Sequence, residues 1–111
     1  MYYGAVTEGR IVFGACDAGM KKDAAEYIAR NIADCIFWNG GQELVFSGGS
    51  IEYSDGLFKD LFERMKGICC EGEIKICGED WELWCFRYDA SAGRWKKHTG
   101  CIVYGSEGEE I

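Results

Sequence analysis

The chain has 111 residues, of which 48% are hydrophobic and 28% charged, with a formal net charge of −7. That length predicts one α+β domain over residues 1–111, able to bury roughly two-thirds of its unfolded surface. The acidity disfavours binding to nucleic-acid backbones and anionic membranes, and no apolar run approaches the roughly 20 residues of a bilayer span.

Tyr2 to Val6 and Ile11 to Cys16 are apolar runs separated by Thr7-Glu8-Gly9-Arg10, a pattern that predicts a hairpin with a four-residue loop. Asp17 offers an N-cap oxygen. Met20, Ala24, Tyr27, Ile28, Ile32 and Cys35 then recur at helical spacing, which predicts a helix over 18–34. Ile36-Phe37-Trp38 and Glu43 to Ser47 flank Asn39-Gly40-Gly41-Gln42, a strong hairpin signal because Asn and Gly tolerate positive φ. Gly48-Gly49-Ser50 reads as a flexible connection, and Ile51-Glu52-Tyr53 as a strand extension or a lead into the next helix. Ser54 is the expected N-cap of that helix, with Asp55 in its first turn. Leu57, Phe58, Leu61, Phe62 and Met65 form its apolar face, and Gly67 a C-cap. The stretch from Glu71 to Tyr104 reads as three more strands.

The resulting order, approximately ββα-ββα-βββ, places the chain in the α+β class with a mainly antiparallel sheet and two amphipathic helices. The halves before Gly67 share an outline, hairpin then helix, which two unrelated segments also reach independently. The run SEGEE within about 105–111 reads as a solvated acidic tail.

The terminal strands concentrate the aromatic residues. One register around Gly78-Glu79-Asp80-Trp81 puts Ile74 and Ile76 beside Cys85 and Leu83 on an inner face. Glu73, Lys75, Trp84, Phe86 and Tyr88 then share the opposite face. For the last strand two registers are open. One sets Arg94, Lys96 and His98 across from Tyr88, Phe86 and Trp84; the other sets Trp95 and Lys97 there, and Thr99-Gly100 could hold a bulge. Aromatic residues carry much of the binding energy at interfaces. Two accounts of that aromatic side are open: a helix or the N-terminal hairpin of the same chain covers it, or it is a partly exposed patch that another chain covers. On the second account Trp84, Phe86, Tyr88, Trp95 and Lys97 are the expected partner-binding residues.

Seven cysteines without a basic and apolar N-terminal leader suit reduced thiols and a cytoplasmic setting. For a thiol enzyme, His98 would serve as base to Cys85 or Cys101, with no orienting third group. Cys69 and Cys70 are adjacent and the other cysteines widely spaced, which does not suit a zinc knuckle. Phosphate-binding loops, H-E-x-x-H, EF-hand and G-x-S-x-G motifs are missing. No catalytic residue, metal or cofactor is expected. The sequence therefore reads as a non-catalytic protein-interaction module whose partner is another protein or a second copy as a homodimer. A small regulator or inhibitor, of phage or mobile-element type among others, would fit. The alternative is a small-molecule-binding protein or a thiol enzyme with a Cys/His pair.

Overall fold

The computed structural model describes residues 4–14 and 18–99. Among them the chain forms, in order, β1 (Gly4–Phe13), α1 (Ala18–Asn31), β2 (Cys35–Asn39), β3 (Glu43–Glu52), α2 (Asp55–Arg64), β4 (Cys69–Gly78), β5 (Leu83–Asp89) and β6 (Arg94–Thr99). The strands pair into one antiparallel sheet in the order β2-β3-β1-β4-β5-β6. The fold is therefore α+β, with two helices, as the hydrophobic periodicity implies. The expected cap at Asp17, the strand ends at Tyr2 and Cys16, Gly100, Cys101 and the acidic tail lie outside the described residues.

The expected order holds approximately, with one difference at the start. The segments on either side of Thr7-Glu8-Gly9-Arg10 form one unbroken strand instead of a hairpin. Ala5, Thr7, Gly9, Ile11 and Phe13 are buried, while Val6, Glu8 and Arg10 face outward. This period of two runs straight through the supposed loop, as a strand requires. Gly9 supplies a notch instead of a turn: a Cβ there would stand 2.4 Å from the Phe46 ring, which lies across it from the neighbouring strand. β1 thus sits between β3 and β4, with Gly9 opposite Phe46 on one side and Ile74 on the other.

β3 is also longer than the apolar run suggests. It continues through the glycine pair, because Gly48 faces the start of the β2 segment so closely that a Cβ would lie 2.7 Å from Ala33 Cα. The predicted Asn-Gly turn is present, with Gly40 and Gly41 at φ of 75° and 86°. α1 stops at Asn31, where the Asn31 side chain donates to Tyr27 O and the Ile32 and Ala33 amides fold back on Ile28 O. α2 begins as expected, with Ser54 Oγ accepting from the Gly56 amide at 3.1 Å. Gly67, at φ 83°, turns the chain toward β4.

Both helices lie on one face of the sheet and touch each other. Tyr27 donates its hydroxyl to Leu57 O at 3.1 Å, and Arg64 pairs with Asp23 while stacking over the Tyr27 ring. Ala24 and Ile28 of α1 and Phe58 and Leu61 of α2 join Ile11, Phe13, Leu44, Phe46, Ile74 and Ile76 in one buried cluster. The outer face of the sheet carries cross-strand ion pairs instead: Arg10 bridges Glu43 and Glu71, and Arg87 pairs with Glu73 at 3.0 Å. These pairs are exposed, so they specify register more than they add stability.

Two substitutions test this core. Gly9→Ala must displace the Phe46 ring and is expected to lower unfolding free energy by about 1–3 kcal/mol, read from urea denaturation. Thr7 is fully buried and its Oγ1 has no hydrogen-bond partner among the described residues. Thr7→Val is therefore expected to raise stability by about 1 kcal/mol in the same assay.

Candidate functional site

The predicted binding residues gather around the β5–β6 hairpin, whose turn is built on Asp89. Asp89 Oδ1 accepts from the Ser91 amide at 3.0 Å, the Ser91 hydroxyl at 2.8 Å and the Ala92 amide at 3.2 Å. Its Oδ2 pairs with Lys96 Nζ at 2.7 Å. Lys96 first, then Ser91 and Ala92, hold this carboxyl well below its ordinary value. Gly93, at φ 70°, completes the turn. The register that results sets Trp95 across from Tyr88 and Lys97 across from Phe86, the second of the two that the sequence leaves open.

The β4–β5 pairing corrects the expected faces. Ile74 stands opposite Phe86 and Ile76 opposite Trp84, so both isoleucines share the inner face with Trp84, Phe86, Tyr88, Trp95 and Lys97. The expected partners of those rings, Glu73 and Lys75, point to the other side with Cys85. A shift of one residue produces the whole inversion. Its cause is the loop: the Gly78 amide bonds Glu82 O at 2.8 Å, which leaves Glu79 to Glu82 as the turn and starts β5 at Leu83. Trp81 sits in this turn at φ 69°, a left-handed conformation unusual for a bulky side chain.

Trp84 and Phe86 are consequently core residues, 4% and 7% exposed, beneath α2. Phe86 stacks on Phe58 at 5.1 Å and meets Phe62 edge-on at 5.2 Å. Trp84 meets the edge of Tyr53 at 4.9 Å. Of the two accounts of this aromatic side, cover from within the chain holds for these two rings, which form the floor of the α2–sheet interface.

The other three expected residues remain reachable. Tyr88 and Trp95 are half-buried and Lys97 is exposed. Trp95 lies flat, parallel to Phe62 at 4.7 Å, and reaches past β5 to Gly72, where a Cβ would come within 2.5 Å of its ring. Between α2 and β6 opens a cleft of about 470 Å³ lined by Phe62, Lys66, Tyr88, Arg94 and Trp95. A smaller hollow of about 230 Å³, sharing Lys59, Phe62 and Trp95, continues it toward Asp55, Phe86 and Lys97. The rim thus carries Lys59, Lys66, Arg94 and Lys97 against Glu63 and Asp55. Asp55 is already engaged: Tyr53 donates to it at 2.5 Å and Lys97 stands 3.4 Å away, and together they lower its pKa. The groove is a basic-rimmed aromatic trough on an acidic chain.

His98 is directly opposite Cys85 in the β5–β6 register, and Lys75 flanks Cys85 from β4. Cys85 is only 1% exposed, so a substrate has no approach to its sulfur in this conformation. Cys69 is buried too, which pushes its thiol up to about 12. Among the described residues, Cys35, Cys69, Cys70 and Cys77 are free thiols, and no group of three potential metal ligands is assembled.

Sequence reasoning missed the apolar side chains that are most exposed. Trp81 is 83% exposed and Phe37 58%, with Val6, Met20 and Trp38 also prominent. Trp81 and Phe37 stand at a turn and a sheet edge, positions legible only once the strand order is known. Compared with family models, curated proteins and solved structures, the chain has no significant match.

Asp89 is expected to govern the shape of the groove. Asp89→Ala should release the 90–93 turn and speed amide exchange of the β5–β6 hairpin while leaving β1 protected. Folding lowers the pKa of this carboxyl from 3.8. Its stabilisation is therefore present above that value and lost as pH falls below it. Hydrogen exchange of wild type and variant across that range checks both points.

Proposed function

We propose that the protein is a non-catalytic protein-interaction module, a small regulator or inhibitor, that holds a partner in the groove between α2 and β6. The observation that carries this reading is Trp95: a half-buried indole laid flat between Phe62 and the Gly72 notch, with one side on an open cleft. Aromatic anchors held rigidly beside a pocket are the residues that dominate interface energies. The cations Lys59, Lys66, Arg94 and Lys97 around it favour a partner segment carrying acidic and apolar side chains. In this reading Tyr88, Trp95 and Lys97 touch the partner, while Trp84 and Phe86 support them from below. Free thiols on the described strands suit a reducing, cytoplasmic location. No helix among the described residues is long and apolar enough to cross a membrane.

The test begins with a photo-crosslinking residue in place of Arg94, at the groove rim, and another in place of Val45, on the outer face. A partner captured from position 94 alone is then purified and its affinity measured. Trp95→Ala is expected to weaken it at least about tenfold, and Lys97→Glu to weaken it in a salt-dependent way. An affinity unchanged by both substitutions would sink the groove as the binding site.

A second reading, a thiol enzyme, is favoured by the one geometric fact that His98 faces Cys85 across the strand pair. It requires one thiol to react with iodoacetamide far faster than the rest near neutral pH, and His98→Gln to abolish that difference. Uniformly slow reaction of Cys85 in the native chain, with Cys35 and Cys70 labelled first, rejects it.

A further inference from the structure

The two edges of the sheet differ sharply in chemistry. β6 carries Arg94, Lys96, Lys97 and His98 along its length, the kind of charged strand that resists pairing with another edge. β2, at the opposite edge, is Cys35-Ile36-Phe37-Trp38-Asn39 and contains no charged residue. Among the described strands its hydrogen-bonding partner is β3 alone, so among the described residues one side of its backbone has no strand paired to it. Phe37 is 58% exposed on the outer face, and Trp38 39% exposed on the helix side. Large apolar side chains therefore coincide, on one short strand, with a backbone edge that no described strand covers.

We infer that this edge is a self-association surface, on which β2 of a second copy pairs antiparallel with β2 across a two-fold axis through Phe37. The choice of a second copy rests on self-complementarity. An axis at the centre of the strand sets Phe37 against Phe37 on the outer face, with Cys35 opposite Asn39 twice. On the inner face it sets Ile36 opposite Trp38 twice. Like charges meet nowhere along the seam, whereas two β6 strands paired this way would oppose cation to cation.

The helices complete the match. Beside β2 runs a cleft of about 480 Å³, lined by Lys21, Lys22, Ala25, Glu26, Ile36 and Trp38. Lys21 at the start of α1 donates to Gly41 O at 3.1 Å, beyond the C-terminal end of β2, so α1 runs opposite to β2. A two-fold through Phe37 places the two α1 helices antiparallel on the same side of the joined sheet. Lys22 and Glu26, both lining the cleft near the middle of α1, then stand opposite Glu26 and Lys22 of the other copy, a reciprocal pairing of opposite charge across the two clefts. The two six-stranded sheets become one of twelve strands. This contact is on the edge remote from the α2–β6 groove, so it leaves that groove open and stands independently of the function proposed for it.

Sedimentation equilibrium of the whole chain, from about 1 µM to about 1 mM, is expected to show a monomer–dimer equilibrium with dimer dominant by about 100 µM. Phe37→Lys sets two cations face to face at the axis and is expected to weaken dimerisation at least about tenfold; because Phe37 is a surface residue, circular dichroism should be unchanged. The register has its own test. Asn39→Cys places the new thiol opposite Cys35 of the other copy, at the separation of directly opposed strand residues, which a disulfide can span. Mild oxidation should give a covalent dimer whose mapped link is 35–39 between chains. A monomer at about 1 mM overturns the inference, as does a dimer that survives Phe37→Lys or whose link maps elsewhere. A dimer abolished by Trp95→Ala but not by Phe37→Lys would assign self-association to the groove and overturn it as well.

Discussion

The inner half of this structure depends on how four aromatic rings lock α2 onto the terminal strands. Phe58 and Phe62 project from successive turns of α2 and meet Phe86 and Trp95, which stand on neighbouring strands. Each contact falls within the offset-stacked or edge-on geometries that aromatic pairs favour. The packing fixes more than the helix. Because Phe86 must point inward, Trp84 and Tyr88 must as well, and the alternation then assigns Trp95 and Lys97 to the same side. Everything available for binding at that end of the molecule follows from which rings the helix covers completely and which it covers only in part.

Flat rings lying across a sheet need space where they cross a neighbouring strand, and glycine supplies it at two places. Gly9 accommodates the ring of Phe46, and Gly72 accommodates the far edge of Trp95. The two notches have different consequences. Phe46 is sealed at the centre and contributes only to stability, whereas Trp95 is at the margin, with part of its indole still open. Within the same packing scheme, distance from the middle of the sheet separates a core ring from a ring that can meet a partner.

Much of the fold was legible in the residues. The apolar stripe of α2, the Ser54 cap and the Asn39-Gly40 turn declare themselves locally and stand where expected, whereas the first helix, expected over 18–34, ends at Asn31, with Met20 exposed and Cys35 carried into β2. The N-terminal strand was legible in part: its alternation runs through Gly9, but a glycine flanked by Glu and Arg imitates a turn unless the ring above it is known. Less legible was the β4–β5 register. The choice between a loop ending at Trp81 and one ending at Glu82 turns on a tryptophan in a left-handed conformation, which local preference argues against. That single residue exchanges the two faces of β5. An apolar strand such as Leu83-Trp84-Cys85-Phe86 gives little help, because either face could be the buried one. Of the five expected binding residues, Trp84 and Phe86 therefore went beneath the helix, and Tyr88, Trp95 and Lys97 stayed at its edge.

Charge distributes the remaining roles around the sheet. The outer face ties itself together with arginine–glutamate pairs running from β3 through β1 and β4 to β5, so an apolar partner gains little there without displacing satisfied charges. The β6 edge is cationic within a chain of net charge −7, which repels a second identical edge but suits an acidic segment laid over Trp95. The β2 edge is uncharged and apolar, and so lacks the usual barrier against pairing with its own kind. A strand of only five residues limits how much backbone can be joined. Such an edge is consistent with a reversible contact, strengthened or weakened by what the α1 clefts add beside it. The same asymmetry disfavours strand pairing at β6, beside the groove, and leaves the β2 edge without that barrier.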